Sequence, residues 1–244
     1  MSAKINNRLY KMKITIIFLT LSFLGFSQNE NQKMINEGLA FSKEHKNEQA
    51  VEIFHKILKT QGSSVDVTFY LGNAYLDLGQ YDQAIIFFSE AIRLKSDFKD
   101  AIFNRGNAFY QLKDFKNAVT DFNNFIKIDS LQAEALYNRA NAYYKLESYI
   151  NAEKDFLKAI TLNPNYEQAY FDLGNTYFIQ NKLQEALLVY DKAILINKNN
   201  SSYYFNRGVV EYNLGFPEDA CADFKNAEDL GDTEAEGYIK ELCK

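Results

Sequence analysis

Small residues recur every 34 positions along this chain, at Gly38, Gly72, Gly106, Ala140, Gly174 and Gly208. Alanine keeps the same interval at Ala50, Ala84, Ala118, Ala152, Ala186 and Ala220, and an aromatic ring does so at Phe54, Phe88, Phe122, Phe156, Tyr190 and Phe224. With alanine at about one residue in ten, six in register by chance is on the order of one in a million. A fixed interval of this length repeats one supersecondary unit, and such units stack in a row instead of closing around a single core. Six of them begin at residues 31, 65, 99, 133, 167 and 201 and run without an insertion to 234, so no linker or second domain fits.

Within a unit, positions 4, 8 and 11 are apolar or small in the first half, and 20, 24 and 27 in the second. Both are helical spacings. Only two prolines interrupt 244 residues, which favours long helices over strands. The break falls near position 15, where Gly79, Gly215 and the αL-tolerant Asn181 stand, and Pro217 suits the first turn of a following helix. Each unit is therefore a helical hairpin. Small residues at positions 8 and 20 let its two helices approach, and the ring at 24 fills the space beside them.

Positions 7 and 23 change together. Arg105, Arg139 and Arg207 occur in the units that carry Asp121, Asp155 and Asp223, whereas Leu71 goes with Phe87 and Leu173 with Val189; Glu37 with Ile53 fits neither class. The two positions lie equidistant from the turn, so an antiparallel hairpin sets them opposite each other and predicts three Arg–Asp bridges. After the sixth unit, Gly231 ends a helix, and Ala235 to Cys243 places Tyr238, Ile239 and Leu242 at helical spacing, as a capping helix would. Cys221 and Cys243 are each 11 residues from Asp232 in the intervening turn. Antiparallel packing would bring them side by side, as a disulfide or as two separate buried thiols.

The first 27 residues have the pattern of a signal peptide. Lys11-Met12-Lys13 precedes an apolar run over Ile14–Phe26, and Gly25 and Ser27 are small residues at the −3 and −1 positions of a cleavage site before Gln28. The competing reading is a buried helix or a membrane anchor, but the run falls short of the roughly 20 residues that cross a bilayer. Met12 could also be the start, which leaves a shorter basic region. No cysteine follows the cleavage site, so lipid attachment is not indicated, and either start implies export to the periplasm or cell envelope without membrane insertion after cleavage. The formal charge is −5, and the first 27 residues hold Lys4, Arg8, Lys11 and Lys13 with no acid, so −9 remains on the rest. That field disfavours nucleic acid and anionic lipid as partners.

Signatures of catalysis are missing. The only histidines, His45 and His55, have no cysteine or acidic spacing of a metal site around them. There is no phosphate-cradling glycine loop, nucleophile elbow, HExxH or CxxC. The expectation is a chain that is not an enzyme and needs no cofactor or metal.

The unit with Leu and Gly at positions 7 and 8, an aromatic at 11, Ala at 20 and Phe at 24 resembles the tetratricopeptide repeat, most fully in Leu71-Gly72, Tyr75, Ala84, Phe88 and Ala91. Pro164 supplies that family's terminal proline once, and the family's Trp at position 4 is absent. The resemblance implies an all-α, right-handed superhelical α-solenoid of six helix pairs, at 31–64, 65–98, 99–132, 133–166, 167–200 and 201–234, with the capping helix over 235–244.

In that family the first helices line a concave groove through positions 2, 5, 9 and 12. Carried over, position 5 gives Ile35, Phe69, Phe103, Tyr137, Phe171 and Phe205, and position 12 gives Tyr110, Tyr144, Phe178 and Tyr212. Position 9 gives Asn73, Asn107, Asn141 and Asn175, backed at position 6 by Asn104, Asn138 and Asn206. Amides can pair with an extended backbone of any sequence while rings hold its side chains, which suits peptide capture. The plainer reading makes the rings packing residues and the asparagines a family habit. The lysines with which some relatives clamp a terminal carboxylate are replaced by rings at position 5 and by Asp66, Asp100 and Glu134 at position 2, so a neutral or basic segment suits this rim better. The expected role is a scaffold or adaptor that binds a peptide or extended protein segment. The alternative is a fixed structural subunit of an envelope or secretion assembly; an enzyme's regulatory domain would need a catalytic partner that this chain lacks. The oligomeric state is not written in these residues.

Overall fold

A computed structural model describes residues 30–243, and the export segment read at 1–27 lies outside them. The described residues form α1 over 30–43, then α2 (Asn47–Gln61), α3 (Val65–Asp77), α4 (Tyr81–Leu94), α5 (Lys99–Gln111), α6 (Phe115–Ile128), α7 (Ala133–Lys145), α8 (Tyr149–Leu162), α9 (Glu167–Ile179), α10 (Leu183–Ile196), α11 (Ser201–Leu214), α12 (Pro217–Asp229) and α13 (Ala235–Leu242). No strand occurs among them. The helices pair in the 34-residue register, α1 with α2 through α11 with α12.

One turn closes every hairpin. The residue at position 15 is left-handed in all six units: Gly79 and Gly215 at φ 70 and 85°, His45, Lys113, Glu147 and Asn181 at φ 58, 61, 58 and 58°. The next residue's N–H then donates back to the carbonyl of position 11, from Gln80 to Tyr75, Asp114 to Phe109 and Ser148 to Tyr143 at 2.9, 2.9 and 2.8 Å. This six-to-one bond satisfies a carbonyl that the helix end would leave orphaned. Glycine or asparagine signalled the turn in three units only. In the others the returning hydrogen bond imposes a conformation that histidine, lysine and glutamate disfavour.

The described chain divides into two compact units, residues up to Ala101 and residues from Ile102 onward. In the first, α2 and α3 bury Ala50, Phe54, Ile57, Val67, Leu71 and Ala74, with Met34, Ile35 and Phe41 of α1 against them. In the second, a core runs along α7 to α11 through Leu136, Ala140, Phe156, Leu173, Ala186, Tyr190 and Val210. The ring at position 24 explains the small residue at position 8. A Cβ built on Gly106 would lie 2.9 Å from the Phe122 ring, and one on Gly208 would lie 2.9 Å from Phe224, closer than real Cβ contacts.

Arg105 meets Asp121 through Nε and Nη2 at 2.7 and 2.8 Å, and Arg207 meets Asp223 at 2.6 and 2.8 Å. Arg139 pairs with Asp155 in the same way. All three carboxylates are buried. At the C-terminal end α13 lays Ile239 and Leu242 on Phe224 and Ala227 of α12. Cys221 and Cys243 form a disulfide with their Cα atoms 5.6 Å apart. Among the described residues no helix is long and apolar enough to cross a membrane.

Candidate functional site

The first helices of the second compact unit, α5, α7, α9 and α11, carry most of the groove residues read from the sequence. Their position-5 rings are half-buried and divide their surfaces. Phe103, Tyr137, Phe171 and Phe205 each pack 5.8 Å from the position-24 ring of the same repeat, Phe122, Phe156, Tyr190 and Phe224. Each also meets a second ring: Phe125, Tyr166, Tyr203 and Tyr238 at 5.1, 4.8, 4.9 and 5.1 Å. In the first compact unit Phe69 does the same with Phe88 and Phe98, and Asn73 is half-buried. At position 12, Tyr110 and Tyr144 are half-buried against Phe115 and Tyr149, whereas Phe178 and Tyr212 are 37% and 46% exposed.

The amides pair with one another. Asn138 Nδ2 donates to Asn107 Oδ1 at 3.0 Å, and Asn206 Nδ2 donates to Asn175 Oδ1 at 3.1 Å, so position 6 of one repeat supports position 9 of the repeat before it. The buried Tyr190 hydroxyl donates to the same Asn175 oxygen at 2.7 Å. Each amide has two donors and two acceptor lone pairs, so one such contact does not exhaust it. Asn104, at position 6 of the third repeat, is half-buried.

Between these two pairs the column of asparagines is broken, because position 6 of the fifth repeat is Asp172. Its Oδ2 accepts from the Tyr137 hydroxyl at 2.8 Å, the Asn175 amide steadies the same carboxylate, and the Asn141 amide lies beside Tyr137. Asp172, Asn141 and Asn175 line a cavity of about 390 Å³ with Tyr110, Tyr137, Tyr144 and Lys145. The Lys145 ammonium stands 5.8 Å from the centre of the Tyr144 ring.

Burial shapes the electrostatics. Desolvation lifts the Asp172 carboxyl above the ordinary carboxylate range, against the pull of Tyr137, Asn175 and the Lys145 charge. Burial also raises the phenols of Tyr110, Tyr137 and Tyr144, with the Asp172 charge adding to each. Tyr166 is pushed up to about 12 by burial, then by Glu134 and Asp172. These phenols therefore stay neutral hydrogen-bonding groups at physiological pH, and the pocket holds one carboxylate with one ammonium at its rim.

Tetratricopeptide-repeat profiles match residues 133–166 and 156–187, and a TPR-repeat profile matches 72–113, 106–147 and 174–215. The chain belongs to the tetratricopeptide-repeat family. No curated protein sequence matches this tetratricopeptide-repeat chain. Among solved structures, it is similar to PilF of Pseudomonas aeruginosa at 18% identity and a TM-score of 0.71, over 86% of this chain and 97% of that one. YrrB, described as a TPR protein with an unusual peptide-binding site, aligns at 21% identity and a TM-score of 0.67, over 79% of this chain and 100% of YrrB. MamA aligns at 23% identity and 0.65, over 68% and 97%. At such identities the likeness establishes the tetratricopeptide fold.

Sequence reading named Tyr110, Tyr137, Asn141, Tyr144 and Asn175 of the pocket and passed over Asp172 and Lys145. The signal for Asp172 was present, as the one acid in a column of four asparagines and a tyrosine. Lys145, at position 13, carried none.

Proposed function

We propose that this tetratricopeptide-repeat chain is an exported, non-enzymatic scaffold that binds a peptide or extended protein segment along the face of α5, α7 and α9. The cavity lined by Tyr110, Asn141, Tyr144 and Asn175 carries the reading, because it sets hydrogen-bonding amides beside aromatic surface on helices fixed by a buried core. The Cys221–Cys243 disulfide and the apolar segment over 14–26 support an oxidising compartment, the periplasm or cell envelope.

A second reading, a fixed subunit of an envelope assembly, rests on apolar side chains of the second helices. Ile150 of α8 is 79% exposed, and Leu188 and Leu195 of α10 are 64% and 66% exposed. Photo-crosslinking residues placed at Tyr110 and Tyr144, or at Leu188 and Leu195, separate the two in native cells. Capture from the tyrosine positions alone supports the groove, and capture from the leucine positions alone overturns it in favour of the subunit role.

A further inference from the structure

We infer that the pocket around Asp172 receives a basic side chain, lysine or arginine, from the bound segment. This deepens the groove reading and rests on it. Asp172 accepts from Tyr137, has the Asn175 amide beside it and, among the described residues, forms no ion pair. A carboxylate offers about four lone-pair sites, so two neutral donors leave it short of saturation. Its negative charge is partly removed from water, an expense that a cation in contact would offset.

The walls suit the same guest. Tyr110, Tyr137 and Tyr144 come from α5 and α7 and line the cavity, and the faces of phenol rings attract ammonium and guanidinium groups. Lys145, next in sequence to Tyr144, already places an ammonium 5.8 Å from the centre of that ring. It is exposed, so it can swing aside for an incoming cation. An anion would meet the Asp172 carboxylate on a chain that carries −9 beyond its first 27 residues. Replacing the expected asparagine by Asp172 converts a sequence-tolerant amide site into a charge-selective one.

The test uses purified protein and alanine-based hexapeptides with a single central Lys, Arg, Gln or Glu, titrated while the backbone amides of Asn141, Tyr144 and Asn175 are followed by NMR. The Lys and Arg peptides are expected to shift these signals and to bind at least about tenfold more tightly than the Gln and Glu peptides. The Lys and Arg arms show which base is preferred. Asp172→Asn, which keeps the shape and restores an amide, should abolish that selectivity while melting no lower than the parent, since it removes a partly desolvated charge. Lys145→Gln, which removes the competing cation, should tighten Lys-peptide binding several-fold. Equal binding of all four peptides, or selectivity that survives Asp172→Asn, overturns the charge-selective pocket while leaving the groove in place. No shift with any peptide also overturns it, and the crosslinks at Tyr110 then decide the groove by themselves.

Discussion

Arg139 donates twice to Asp155, from Nε to Oδ2 at 2.6 Å and from Nη2 to Oδ1 at 2.7 Å, and sends Nη1 to Asn123 of the preceding repeat at 2.6 Å. One guanidinium thus ties its own hairpin and the neighbouring one. Arg207 repeats the arrangement with Asp223 and, across the repeat boundary, Asp191. Asp155 is 4% exposed, so removing it strands a cation in a partly desolvated place. Asp155→Ala should cost about 3 to 5 kcal/mol. Pairing Arg139→Leu with Asp155→Val, which copies Leu173 and Val189 of the fifth repeat, should recover most of that loss in urea melts.

Glu211 gives the fold a pH dependence. It occupies position 11, where the other repeats have rings, and its Oε2 is buried without a hydrogen-bond partner. Burial pushes its pKa up to about 7, the charges of Asp223, Asp219 and Asp191 add to the shift, and Arg207 opposes it. The folded state then binds more protons than the unfolded one, so this group's stability contribution is complete below the ordinary glutamate value and is lost as pH rises through about 7. Glu211→Gln should match the parent near pH 4 and exceed it at pH 8, as measured by denaturant midpoints at both.

The left-handed turns at Lys113 and Glu147 hold residues that disfavour that conformation. Glycine reaches it without the Cβ clash, at some cost in unfolded-state entropy. Glu147→Gly should stabilise by about 0.5 to 1 kcal/mol. A β-branched Glu147→Val should destabilise by more, and paired thermal melts of the two variants would show opposite signs.

The disulfide closes a sequence separation of 22 residues and fastens α13 to α12. Reduction, or Cys221→Ser with Cys243→Ser, should lower stability by about 3 kcal/mol. Amide exchange should rise first at Ile239 and Leu242, which pack against the cluster of Ala220, Phe224 and Ala227. Protein purified from its native cells should show no reactive thiol under denaturant and, if the proposed export segment is removed, should begin at Gln28 on N-terminal sequencing.

Much of this architecture was open to reading because repetition makes a sequence its own alignment. The Arg–Asp bridges were visible as paired changes at positions 7 and 23, since a hairpin brings equidistant positions together. The turns at His45, Lys113 and Glu147 were not marked by residue type, because there the conformation is imposed by the hydrogen bond back to position 11. For the pocket, the tyrosines and asparagines fell on positions the family uses, whereas Asp172 looked like one more acid on an acidic chain. Its meaning depends on a hydroxyl from α7 and on three rings from two helices.

The order of residues alone determined the 34-residue interval, the helix pairs and the face each helix buries, because helical periodicity and small-residue contacts act within one repeat or between adjacent ones. Tertiary structure decided which polar groups saturate one another and which still face open space. Asn107 and Asn175 each accept from the asparagine of the following repeat, Asn138 and Asn206, while Asp172 lines a cavity with its charge only partly satisfied. Distances of a few ångströms between separate helices set that difference, and no local pattern encodes them.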